Sequence, residues 1–88
     1  MPLSQEATDT RRIVDTLCYS EAGPVYVGGI YGWHQGHPDA LARTDSLLLE
    51  LVARASSMQI PAVILGDFNH SLQDMPCWED LVAKGWGD

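Results

Sequence analysis

The sequence predicts a mixed α/β (α+β) fold in which a β-hairpin is followed by a strand–helix–strand unit and a short C-terminal helix. Three patterns carry this prediction. Turn chemistry at Glu21-Ala22-Gly23-Pro24 separates two β-rich runs; apolar residues recur at helical spacing from Ala40 onward; and the unbroken run Ala62-Val63-Ile64-Leu65 is stopped by Gly66. At 88 residues the chain holds one domain at most, and with 45% hydrophobic and 19% charged residues it has the mix of a folding chain rather than a disordered one. Its length makes the core marginal.

The elements follow in order. Residues 1 to 10 are polar and aperiodic and read as a frayed lead-in, leaving 11 to 88 as the folding unit. From Arg11, Ile13, Leu17 and Tyr19 share one face at a period of two; a helix grouping Ile13, Val14 and Leu17 is the alternative, and the turn that follows favours the strand. In Val25-Tyr26-Val27-Gly28-Gly29-Ile30-Tyr31, Val25, Val27 and Tyr31 point one way and Tyr26 and Ile30 the other, so both faces want cover. Gly28 and Gly29 predict a bulge or the close approach of another backbone. Gly32 to Pro38 is loop by its Gly and Pro content. Asp39 stands where it can cap a helix over about 40 to 57, whose face is Leu41, Leu47, Leu48, Leu51, Val52 and Ala55 and which Ser56-Ser57 end. After Pro61, residues Ala62 to Leu65 read as a buried strand, parallel or mixed in its pairing. Asp74-Met75-Pro76 open a short helix through Trp78, Leu81 and Val82, stopped by Gly85, and Trp86-Gly87-Asp88 read as the start of something further. The chain contains no internal repeat and no linker.

Five Lys+Arg against twelve Asp+Glu give a net charge of -7, which excludes a basic nucleic-acid-binding module. After Ala55 the imbalance sharpens, with Asp67, Asp74, Glu79, Asp80 and Asp88 against Lys84 alone. An acidic site still handles phosphate when a divalent cation intervenes. Cys18 and Cys77 lie far apart with no zinc-module spacing, so two free thiols in a reducing compartment are expected. The start lacks a basic and an apolar region of secretory type, and no apolar run approaches about 18 residues, so the chain is expected to be intracellular, with no membrane partner.

The residues with chemical potential gather at Gly66-Asp67-Phe68-Asn69. In sheets with crossover helices, ligands sit beyond the carboxyl ends of strands, and here a carboxylate and a carboxamide emerge two residues apart at such an end. Asp67 can hold or deprotonate a water or bind a hard cation, and Asn69 can donate to an anionic oxygen. Taken in isolation, the same Asp-x-Asn is more often an Asx-turn closing the strand. His34 and His37, three apart beside Asp39, together with His70 can converge on zinc, can lie solvated in loops, or, for His34 and His70, can bind substrate phosphate. Trp33, Trp78 and Trp86 can stack bases or pack, and packing is the commoner use of tryptophans bounded by turns.

The stretch Ile60-Pro61-Ala62-Val63-Ile64-Leu65-Gly66-Asp67-Phe68-Asn69 resembles the signature of the endonuclease/exonuclease/phosphatase family of divalent-metal phosphoesterases. Upstream, Val27-Gly28-Gly29-Ile30-Tyr31-Gly32 with its loop and helix is similar to that family's strand bearing a phosphate-facing Tyr, and downstream Trp78-Glu79-Asp80-Leu81 through Gly85-Trp86-Gly87-Asp88 is similar to its helix and Gly-x-x-Asp stretch. The resemblance covers about residues 11 to 88, most closely at 60 to 69. It implies a fragment of a four-layer α/β sandwich, Mg²⁺ or Mn²⁺ as cofactor, and a phosphate-ester substrate, nucleic acid among the candidates. By position it implies that Asp67 orients or activates the attacking water, that Asn69 hydrogen-bonds the scissile phosphate and that Tyr31 lies near the phosphate. Tyr31 reads equally as a sheet-end aromatic.

The sequence departs from the family pattern at Gly29, where the family often has Asn, and it has no counterpart of the family's N-terminal metal-binding Asn and Glu or of its C-terminal Asp-His pair. The expectation is therefore the central part of a metal-dependent phosphoesterase that hydrolyses a phosphodiester or phosphomonoester by water attack, almost inert alone. The alternative is a non-catalytic truncated remnant or a small protein-interaction module. With helices for one side of the strands only, an exposed apolar face is expected.

Overall fold

The computed structural model describes residues 12–87. The lead-in expected at residues 1 to 10, and Asp88 of the Gly-x-x-Asp stretch, lie outside the described residues. The elements are β1 (Ile13–Ser20), β2 (Gly23–Tyr31), α1 (Ala40–Met58), β3 (Ala62–Asp67), a 3₁₀ turn (Leu72–Asp74) and α2 (Trp78–Ala83). The strands form one sheet in the order β1-β2-β3, with β1 antiparallel and β3 parallel to β2. This is the mixed α+β arrangement that the hairpin and the strand–helix–strand pattern predict.

The hairpin closes tightly. Ser20 pairs with Gly23 across Glu21 and Ala22, Gly23 takes φ +119°, and the Ser20 hydroxyl donates to the Gly23 carbonyl at 2.9 Å. Pairing then runs without interruption to Ile13 opposite Ile30, so the bulge expected at Gly28-Gly29 is absent. The close approach there is of side chains, not of a backbone. A Cβ at Gly28 would stand 3.3 Å from both Leu51 methyls, and one at Gly29 would stand 3.1 Å from a Val14 methyl. Gly28 thus lets α1 lie close on the sheet.

Leu47, Leu48, Leu51 and Val52 of α1 pack on Ile13 and Ile30 from the sheet and on Met75, Cys77 and Leu81 from the C-terminal segment, and Leu51 is wholly buried. Trp33, Trp78 and Trp86 pack against the same core. Two expectations for α1 fail at its ends. Asp39 occupies the N-cap position but with φ 60°, and its side chain makes no cap bond; only its carbonyl serves, accepting from the Arg43 amide at 2.9 Å. Ser56-Ser57 do not end the helix, which continues to Met58 and stops where Gln59 turns left-handed, two residues before Pro61 bars any continuation.

The third correction concerns β3. Predicted as a buried strand, it is an edge strand, and none of its six residues is buried. Among the described residues, helices cover only one face of the sheet. The face carrying Val14, Val25, Val27, Tyr31, Val63 and Leu65 is bare, with Val14 at 65% and Leu65 at 57% exposure. Among the described residues, no helix is long and apolar enough to cross a membrane.

Candidate functional site at the carboxyl edge of the sheet

The parallel register fixes the site. Tyr31 is the partner of Asp67 at the carboxyl ends of β2 and β3, both on the bare face, and the ladder is extended by the Gly32 amide donating to the Asp67 carbonyl at 2.6 Å. Asn69 follows in a left-handed conformation, φ 59°, which Asn tolerates better than most residues. Its amide donates to Asp67 Oδ1 at 3.0 Å, so the Asx-turn is present. Its carboxamide nitrogen donates to the Gly32 carbonyl, also at 3.0 Å.

The same Gly32 carbonyl accepts from Arg12 Nη1 at 3.0 Å, and Arg12 Nη1 also reaches the Tyr31 carbonyl at 3.3 Å. A guanidinium and a carboxamide therefore converge on one oxygen, with a carboxylate and a phenol alongside. The Arg12 guanidinium is further held over the Trp33 ring, 3.8 Å from its centroid, and lies 5.2 Å from that of Tyr31. Gly32 is required at the centre, because a Cβ there would run into the Phe68 carbonyl. Thr44, fully buried in α1, fixes the approach by accepting the Trp33 amide at 2.8 Å, and Gln35 Nε2 donates to the Asn69 carbonyl at 2.7 Å.

Of the residues singled out in the sequence, Asp67, Asn69 and Tyr31 are thus brought together. The histidines divide. His70 joins the edge, its Nε2 at 3.1 Å from the Trp33 carbonyl. His34 does not, since its Nδ1 accepts from the Gly36 amide at 3.1 Å within an exposed loop. His37 places Nδ1 2.7 Å from the Pro38 carbonyl and its ring against Trp33. Each histidine is directed to a different backbone group, and among the described residues no three His, Cys, Asp or Glu side chains gather as a metal-holding group.

Arg12 was missed in the sequence, although the signal was there. In a hairpin pairing Ile13 with Ile30, the residue before Ile13 necessarily falls beside Tyr31. Trp33 and Gln35 gave no such signal, because their places depend on α1 and on the turn after β3.

A second polar cluster uses the same residue types beneath α1. Asp15 Oδ2 accepts from the Tyr26 hydroxyl at 2.8 Å and from Arg54 Nε, and Tyr26 is almost wholly buried. Burial acts to raise the Asp15 carboxyl, but the bonds from Arg54 and Tyr26 outweigh it and hold the group below its ordinary value. Burial and then the Asp15 carboxylate push the Tyr26 phenol up to about 12. In the core, Asp45 Oδ1 accepts the Cys77 amide at 3.0 Å, and burial followed by the Asp45 carboxylate pushes the Cys77 thiol up to about 12, which disfavours the thiolate.

No known protein family, curated protein or solved structure matches the chain.

Proposed function

We propose that the carboxyl edge of the sheet is the phosphate-binding part of a phosphoester hydrolase. The observation that carries this is the convergence of Arg12 and Asn69 on the Gly32 carbonyl beside the paired Tyr31 and Asp67. Arg12 uses one nitrogen on the backbone carbonyls and retains further N–H groups for an anion, and Asn69 retains one carboxamide hydrogen. Tyr31, 58% exposed, can offer its phenol to a non-bridging oxygen. Asp67 is held by the Asn69 amide through one oxygen, which leaves the other to accept a proton from an attacking water. As that proton moves to Asp67, the water oxygen bonds to phosphorus, the ester P–O bond breaks, and the leaving oxygen takes its proton from solvent.

The resemblance at residues 60 to 69 extends this reading to a Mg²⁺- or Mn²⁺-dependent enzyme. The described residues do not by themselves fit such an ion. Among the described residues no three His, Cys, Asp or Glu side chains gather around Asp67, and a divalent cation there would need further ligands from elsewhere. No step above runs through it. The bare sheet face supports the further reading that this sheet is one half of a four-layer sandwich, completed by a second sheet. The two thiols, one exposed and one buried and unpaired, fit an intracellular setting. The net charge of -7 argues against autonomous gripping of nucleic acid, so a nucleic-acid substrate would be held largely by other surfaces.

One observation favours a second reading. Asp67 and Asn69 both spend side-chain hydrogen-bonding capacity on the turn itself, as they would if the cluster only stitched two strand ends in a non-catalytic module. Titration with phenyl phosphate, followed by NMR at the Arg12 Nε–H, the Gly32 amide and the Asn69 carboxamide, separates the two. Saturable shifts at all three groups, lost in Arg12→Met, are expected. Silence at millimolar ligand removes the phosphate site.

A further inference from the structure

The outer edge of β3 borders an apolar groove of about 480 Å³, lined by Ala62 to Gly66 of the strand itself and by Leu48, Phe68, Leu72, Trp78, Leu81 and Trp86. Among the described residues no strand pairs with that edge. The ladder to β2 shows which of its backbone groups are spent. Tyr26 takes the Pro61 carbonyl and Gly32 takes the Asp67 carbonyl, and at the two-residue period of a parallel ladder Val63 and Leu65 turn inward with them. Ala62, Ile64 and Gly66 therefore direct their N–H and C=O groups out over the groove. The strand itself does not blunt this edge: it has no charged residue before Asp67, no internal Pro and no interruption of its register.

We propose that the groove receives an extended segment of another polypeptide, which pairs with β3 as a fourth strand and seats alternate apolar side chains against Trp78 and Trp86. Donors and acceptors repeating at a two-residue spacing are matched by a strand and by no compact apolar ligand. Charge decides what kind of segment. Asp74, Glu79 and Asp80 stand exposed beside the lining residues in the chain, opposed by Lys84, so the fitting strand carries Lys or Arg at its ends. A second copy of this chain is disfavoured, because it brings the same acidic rim and a further charge of -7. The chain's own first ten residues are polar and lack an alternating apolar pattern.

The probe is a short blocked peptide that alternates valine with threonine and carries lysine at both ends, added to the full chain and followed by tryptophan emission. Saturable binding with a blue shift is expected, weakened at least tenfold when the peptide nitrogens facing β3 are methylated, and several-fold at low salt by Glu79→Lys with Asp80→Lys. Methylation touches only the peptide, so its outcome does not depend on any variant folding. Equal binding by the methylated peptide would show a groove that takes apolar side chains without strand pairing and would overturn the proposal. So would no binding at millimolar peptide, or sedimentation as a dimer that the peptide leaves intact.

Discussion

Arg12, Tyr31 and Asp67 at the carboxyl edge of the sheet repeat the residue types of Arg54, Tyr26 and Asp15 beneath α1, yet the two sets do opposite things. In the covered set the three side chains bond one another: both the Tyr26 hydroxyl and Arg54 Nε point at Asp15 Oδ2, in a place that α1 shields from water. In the edge set the hydrogen bonds go to the main chain instead. Arg12 and Asn69 bond backbone carbonyls, and Asp67 bonds a backbone amide. Chemistry needs valences that folding has not already used, and a set held by the main chain keeps its heads available. Identical residue types are thus a clamp in one place and a candidate site in the other, depending on whether the partner is side chain or backbone.

The comparison breaks most severely at Gly32. Gly32→Ala drives a Cβ into the Phe68 carbonyl, so β2 and the turn after β3 must part; a loss of about 3 kcal/mol or more in denaturant melts is expected, with the edge set dispersed. Next comes Arg54→Met, which leaves the shielded Asp15 carboxylate without its cation. A loss of about 2–3 kcal/mol should follow, against under about 1 kcal/mol for Arg12→Met.

The covered set also sets two limits in pH. Asp15 is held below its ordinary value, so its contribution is complete above the unfolded carboxyl range near pH 4 and is lost as pH falls through the folded value. Tyr26 is raised, so its contribution is complete below about pH 10 and is lost as pH rises through about 12. The Cys77 thiol, also raised to about 12, adds its own alkaline decline, so stability profiles of Tyr26→Phe should show a shallower decline than the parent, whereas those of Tyr31→Phe should keep it in full. The smallest effect is expected of Tyr31→Phe itself: stability within about 0.5 kcal/mol of the parent and phenyl phosphate affinity reduced two- to three-fold. An unchanged affinity would make Tyr31 a sheet-end aromatic and nothing more.

Much of the fold was legible because it follows from local periodicity. The apolar period of α1, the turn before Pro24 and the run ending at Gly66 each state an element in a few residues, and the alternation in β2 correctly divides Val25, Val27 and Tyr31 from Tyr26 and Ile30. Errors fell where a distant neighbour decides. Asp39 had the composition of a cap but not the conformation, because a left-handed backbone turns its side chain away from the first turn. Val63 and Leu65 were apolar enough for a buried strand, yet burial depends on what lies over the strand and not on its own sequence.

The site divides in the same way. Asp67 and Asn69 were visible as a pair because two residues separate them at the end of one strand. Their meeting with Tyr31 required a parallel register between segments 36 positions apart, and their meeting with Arg12 required the hairpin register as well. By itself the sequence determined which segments are strands and helices and which residue types stand at their ends, since these follow from backbone preference and apolar period. Only the tertiary structure decided that Arg54 would be spent on Asp15 while Arg12 was held by carbonyls, because that depends on which side chains a third element brings within hydrogen-bond reach.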